Sequence, residues 1–173
     1  YNYVDSLIFL NKQGTVEAST ENMGEGQNRS DREYYREAML GKSSVQGPLI
    51  TRTKGYYAFF LGEPVFVNGE VSGVLVGAIN MDYITSHTID PVTMHGKGIV
   101  YVVDPNGQII LHPDRQKMIG NAMIEQAILE PISDGGAGSF ENERDGMAYY
   151  STFNTLPNGW TVIATVSRDF MMS

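Results

Sequence analysis

The chain has 173 residues, of which 42% are hydrophobic and 18% charged, with a formal net charge of -8 and no cysteine. That composition describes a folded globular chain, and its acidic balance excludes nucleic acid and anionic lipid as partners, since both require a basic face. Without cysteine there is no disulfide, no thiolate metal site and no cysteine nucleophile.

The first segment, LIFLNKQGTVEAS, predicts a hairpin over 7–19 that turns at Gly14. DREYYREAML then predicts a helix over 31–40, where Ser30 and Glu33 have the spacing of a capping box and Gly41 supplies a left-handed stop. GYYAFF predicts a strand over 55–60. VFVNGEVSGVLVG predicts a strand pair around Asn68-Gly69, two residues that tolerate the positive φ of a tight hairpin.

The same order then recurs. A hairpin is expected over 99–112 with its turn at Asn106-Gly107, followed by a helix over about 121–130 capped by Asn121 and stopped by Pro131. A strand over 146–153 and a strand pair around Asn158-Gly159 complete the series. An offset of about 90 residues relates the two halves. Two strands, a helix and three strands per repeat predict an antiparallel sheet with attached helices, so the fold class is α+β. Two tandem modules are expected, 1–85 and 86–173, dividing near Thr85–His95.

No apolar run approaches the roughly 20 residues that cross a bilayer, and no signal peptide is present. The chain opens on YNYVDSLIFL, almost within its first strand, and stops at SRDFMMS just after its last. It therefore reads as a domain excised from a longer protein.

One short helix concentrates unusual chemistry. Residues 32, 35, 36 and 39 share a face, with Tyr34 and Ala38 beside it. Arg32 offers a planar fork of donors suited to a carboxylate, and Tyr34 and Tyr35 each pair an apolar ring with a hydroxyl. Together they suit a small polar ligand enclosed by protein. The alternatives are a salt bridge from Arg32 to Asp31, Glu37 or a loop acid, and packing of both tyrosines onto the sheet. In GYYAFF, alternation sends Tyr56 and Phe60 to one face and Tyr57 and Phe59 to the other. Asn80 is the polar end of VLVGAIN, where a buried amide needs either a ligand or a strand-end hydrogen bond.

DREYYREAMLGKSSVQGPLITRTKG with EPVFVNGEVSGVLVGAINMDYI resembles the membrane-distal half of a double-Cache sensor domain. GKGIVYVVDPNGQIILHPD with GSFENERDGMAYYSTFNTLPNGWTVIATV is similar to its membrane-proximal half. The resemblance covers nearly the whole chain, apart from the long N-terminal stalk helix that normally precedes the first strand. It implies two PAS-like modules in the periplasmic or extracellular part of a bacterial inner-membrane receptor, such as a chemoreceptor, histidine kinase or cyclic-dinucleotide enzyme. It further implies a homodimer in the full receptor, membrane anchoring through segments outside this chain, and no cofactor.

Within that family the ligand binds the distal module, here 1–85, and the proximal module, 86–173, couples the change toward the membrane. The amino-acid-binding branch carries R-x-W-Y on the helix, and Arg32-Glu33-Tyr34-Tyr35 keeps its arginine and final tyrosine. The tyrosine and aspartate expected in the next loop fall near Leu49 and Thr51, and no acid stands near Ala78 to Asn80 to hold an ammonium. A small carboxylate or neutral polar ligand is therefore expected ahead of an α-amino acid. The candidate binding residues are Arg32, Tyr34, Tyr35, Thr51, Arg52, Tyr57 and Asn80, with Arg52 in the loop that closes over the pocket in the family.

No nucleophile elbow, P-loop or dinucleotide fingerprint occurs, so catalysis has no motif to rest on. His87, His95 and His112 lack metal-ligand spacing, the nine methionines read as core filler, and His112-Pro113 reads as a surface pair ending a strand.

Overall fold

The computed structural model describes residues 4–92, 96–118 and 123–172. The chain divides into two compact units, Tyr1–Ile84 and Thr85–Ser173.

In the first unit β1 (Val4–Asn11) and β2 (Val16–Ser19) form the opening hairpin. After α1 (Glu33–Met39) come β3 (Ser44–Ile50), β4 (Tyr57–Val67) and β5 (Glu70–Asn80). The five strands form one antiparallel sheet in the order β2-β1-β5-β4-β3. Between β4 and β5, Asn68 and Gly69 both have positive φ (52° and 82°), the backbone of a two-residue hairpin whose twist matches its strands. Helix α1 lies against β3, β4 and β5. It comes close because residue 62 is glycine: a Cβ there would stand 2.7 Å from the Tyr34 carbonyl oxygen. Leu10, Val16, Tyr34, Ala38, Val74 and Val76 are the buried centre of this unit.

Helix α2 (Met81–Thr88) follows β5 directly. The second unit then has β6 (Gly98–Val103), β7 (Ile109–Leu111), a 3-10 turn at Arg115–Met118, and α3 (Gln126–Ile132). It ends with β8 (Ala137–Arg144), β9 (Met147–Thr155), β10 (Thr161–Ser167) and a single turn, α4 (Arg168–Met171). Its strand order, β7-β6-β10-β9-β8, repeats the first sheet strand for strand. Among the described residues no helix is long and apolar enough to cross a membrane.

Several local expectations need correction. Residues 55–60 are not a separate strand but the start of β4, an 11-residue strand that runs into the Asn68-Gly69 turn. Likewise 146–153 belongs to β9, the first strand of the pair around Asn158-Gly159. The fifth strand of each sheet is instead β3 and β8.

The capping box does not form. Arg32 occupies the N-cap position without a side-chain bond, and Ser30 turns back to Asn28. Gln46 of β3 takes over the role: its Oε1 accepts the Tyr34 N–H at 2.8 Å, while its amide donates to the Glu33 carboxylate. The helix is thus capped across the fold and not from its own sequence. Gly41 does close it, with φ 80° and its N–H on the Ala38 carbonyl. Pro131 does not stop α3, which continues through Ile132. The proposed cap at Asn121 lies outside the described residues.

Candidate functional site

Between α1 and the inner face of the first sheet lies a cavity of about 50 Å³, room for a small ligand only. Period-two alternation builds its floor: Ile8 of β1, Phe60 of β4, and Val76 and Ala78 of β5 all point inward. Tyr34 forms part of the wall. It is 2% exposed, and its ring stacks on Phe60 with centroids 5.3 Å apart. Burial pushes its phenol above the ordinary value, against the pull of Arg32, Arg29 and Arg52.

The remaining groups come from two segments outside the sheet ladder. The loop 51–56 is a tight return between β3 and β4, held by the Thr51 N–H on the Tyr56 carbonyl (2.8 Å) and the Gly55 N–H on the Thr51 carbonyl (3.0 Å). Thr51, Arg52, Lys54 and Tyr56 of this loop line the cavity. So do Glu21, Arg29 and Arg32 from the connection between β2 and α1.

The charges sort into two groups. Lys54 Nζ sits 2.7 Å from the Glu21 carboxylate and 2.9 Å from that of Asp5, and Tyr56 donates its hydroxyl to Asp5. These partners hold the Lys54 ammonium well above its ordinary value, Glu21 first. Burial raises the Asp5 carboxyl, but Tyr56 and Lys54 outweigh it and leave it below the usual range. This end of the cavity is internally compensated.

The other end is not. Asp31 is occupied by Arg52, with which it forms an ion pair. Arg29 is 7% exposed and its nearest hydrogen-bond acceptors are neutral, Gln27 Oε1 at 2.6 Å and the Asn28 carbonyl at 3.5 Å. Burial, with Arg52 and Arg32 close by, lowers its guanidinium below the ordinary value. Arg32 makes one long contact, Nη2 to the Ile50 carbonyl at 3.5 Å, and its buried Nε has no partner among the described residues. Two cations therefore face a small enclosed space without an ion pair among the described residues, Asp31 acting on them only from a distance. The arrangement can receive an anion.

Of the seven residues expected at the site, Arg32, Tyr34, Thr51 and Arg52 line this cavity and three do not. Tyr35 is 8% exposed and packs in the core, its hydroxyl donating to the Lys12 carbonyl at 2.7 Å. Tyr57 opens β4 on the side away from the cavity, since the inward positions are those of Tyr56 and Phe60. Asn80 caps α2: its Oδ1 accepts the N–H groups of Asp82 (2.8 Å) and Tyr83 (3.3 Å). The sequence reading missed Arg29, Glu21, Lys54 and Tyr56. Tyr56 was within reach, because its alternation with Phe60 was explicit and only the choice of face was open.

Comparison with known proteins follows the same lines. The Cache domain family dCache_1 matches residues 1–173. Methyl-accepting chemotaxis protein PscA of Pseudomonas syringae pv. tomato is 26% identical over 91 residues, 52% of this chain but only 14% of that protein. The ligand-binding domain of the Pseudomonas aeruginosa PAO1 amino acid chemoreceptor PctB, solved with L-Arg, superposes with a TM-score of 0.76 at 17% identity, over 98% of this chain and 74% of that one. The extracellular domain of the putative histidine kinase rpHK1S-Z16 gives 0.77 at 18% identity, over 99% and 74%. Sheet order, paired units and family match agree, and the chain belongs to the Cache domain family.

Proposed function

We propose that this chain is the extracytoplasmic sensing domain of a bacterial transmembrane receptor of the chemoreceptor type. Its first unit would bind a small ligand bearing a carboxylate, and its second would pass the change toward the membrane. The observation that carries the ligand class is Arg32 Nε, buried against the cavity with no partner among the described residues, beside an Arg29 whose hydrogen-bond acceptors among them are neutral. An enclosed guanidinium fork is costly until an anion meets it bidentately.

Arg32, Tyr34, Thr51 and Arg52 are the proposed ligand contacts, joined by Arg29. The Arg52–Asp31 pair already ties the 51–56 loop to the start of α1, so ligand uptake would tighten this junction and bias the stalk helices of a homodimeric receptor between two arrangements. A histidine kinase or a cyclic-dinucleotide enzyme would use the same domain.

A second reading, an α-amino acid, draws on Glu21 in the cavity lining, with Asp5 behind Lys54 and Tyr56, and on structural neighbours solved with asparagine, L-Arg and L-leucine. Lys54 and Tyr56 already satisfy those acids, which favours the simple carboxylate. Thermal-shift measurement against matched short organic acids, their amides and α-amino acids separates the two. Acids alone should raise the melting temperature, by an amount following RT ln(1 + [L]/Kd). Response to amino acids alone would replace the first reading with the second, and silence from both would remove the ligand-binding claim.

A further inference from the structure

The second unit has a cavity of its own, about 210 Å³, between the β6 face and the segment that leads into α3. Ile99, Ile109 and Ile128 give it an apolar wall. Four polar heads converge on it: Tyr101 of β6, His112 just after β7, Lys117 of the 3-10 turn and Arg144 at the end of β8.

His112 is 6% exposed and not the surface residue its sequence context suggested. Its Nδ1 accepts the Asp114 backbone N–H at 2.8 Å, so the neutral ring carries its proton on Nε2. That N–H has no partner among the described residues. Tyr101, 5% exposed, packs against the imidazole at 5.6 Å between centroids, and its hydroxyl likewise has no partner among them. Arg144 stacks on Tyr149, 4.7 Å from the ring centre, without an ion pair among the described residues. Lys117 and Glu125 are exposed on the rim, and neither forms an ion pair among the described residues.

The chemistry of this lining is specific. Two donors carried by buried residues and without acceptors among the described residues, a half-buried guanidinium and a rim ammonium call for an anion. The isoleucine wall calls for a short apolar tail, and the volume limits its length. We infer that the second unit holds a separate ligand site that takes a short-chain monocarboxylate. The carboxylate accepts from Arg144, His112 Nε2–H and the Tyr101 hydroxyl, and the tail lies on Ile99, Ile109 and Ile128. Burial first, then Lys117 and Arg144, holds the imidazole down to about 4, against the opposing pull of Asp114. With Tyr101 neutral and Glu125 on the rim, the ring is a neutral donor at neutral pH.

The test is calorimetric titration of the whole chain with acetate, propionate and butyrate, with butyramide as the uncharged counterpart. Propionate or butyrate should bind more tightly than acetate, and butyramide should not bind. Arg144→Gln, at a half-exposed position, should weaken butyrate at least tenfold, while Arg32→Gln in the other unit should change it less than twofold. In parallel, the His112 ring protons should shift on adding butyrate and titrate at higher pH in its presence. Absence of heat with all three acids would overturn the inference. So would butyrate binding that survives Arg144→Gln and is lost with Arg32→Gln, because that places the acid in the first unit.

Discussion

Replacing Arg32 by Met should move ligand affinity and ligand-free stability in opposite directions. Met keeps an unbranched stem of similar reach, so the packing of the aliphatic part survives. What disappears is a guanidinium whose Nε is buried without a partner among the described residues and whose best contact there is 3.5 Å long. A buried donor left unmade costs about 1–3 kcal/mol, and more for a charged group. Arg32 retains some exposure, so a gain near the low end, about 1 kcal/mol, is expected in the free protein. That corresponds to roughly 2–4 °C in melting temperature at this chain length.

With a carboxylate bound the sign reverses. A charge-assisted hydrogen bond contributes about 1.5–3 kcal/mol, so affinity should fall by roughly 10- to 100-fold. Urea unfolding without ligand, and calorimetry with the best acid from the thermal screen, measure the two halves. An Arg32→Met protein that is less stable by more than 1 kcal/mol, with unchanged affinity, would refute the reasoning and make Arg32 a structural residue.

Four further outcomes follow. Gln46→Ala should destabilise the fold by about 1–2 kcal/mol in urea unfolding, whereas Ser30→Ala should stay within about 0.5 kcal/mol, because Gln46 and not Ser30 caps α1. Gly62→Ala should cost about 1–3 kcal/mol and weaken acid binding, since the new Cβ would push Tyr34 and α1 off β4. Tyr34→Phe should leave stability within about 0.5 kcal/mol yet reduce acid affinity severalfold, because the ring keeps its stack on Phe60 and only a cavity-facing hydroxyl goes. His112 is depressed to about 4 in the fold, so the unfolded chain binds its proton first; stability is present above pH 6.5 and declines as pH falls from there through about 4. The loss is of order 1–3 kcal/mol, and His112→Asn, whose Oδ1 still accepts from Asp114, should remove that part of the pH dependence.

Legibility in the sequence tracked the range of the interactions involved. Turns announced themselves through residues that tolerate positive φ, so Asn68-Gly69 and the Gly41 stop were readable from two or three letters. Asp145-Gly146, with φ 53° and 72°, is an equally explicit hairpin signal, and following it would have found β8. β3 was harder: SVQGPLI holds a glycine and a proline, and its register against β4 slips between Gln46 and Leu49. The capping box failed because the residue that caps α1 is twelve positions from the N–H it accepts, a separation no local pattern reports. Around the cavity, Arg32 and Tyr34 were legible because the start of the helix displays them, and Tyr35 turned into the core because one turn of helix has more than one buried face. Arg29 and Lys54 sit in loops without periodicity, and what makes them matter is which acids are already taken.

That last point separates binding from packing in this molecule. The sheets supply mostly apolar floor, since alternation gives a cavity only every second side chain of a strand. Most polar heads come from segments freed of the ladder, which satisfy their own backbone locally: Asn28 Oδ1 accepts the Ser30 N–H at 2.9 Å, and Asp114 Oδ1 accepts the Gln116 N–H at 3.0 Å. Rigid turns of this kind can hold a cation where it has no anion. Other cations beside acids are paired, the exposed Arg52 with Asp31 and Lys54 with Asp5 and Glu21, and the half-buried Arg115 with Asp90 at 2.6 Å. Arg29 and Arg32 in one unit and Arg144 in the other depart from that rule, and each departs from it against a cavity. On the proposed reading these three await a counter-ion that arrives from outside, since the cations paired above already hold an acid.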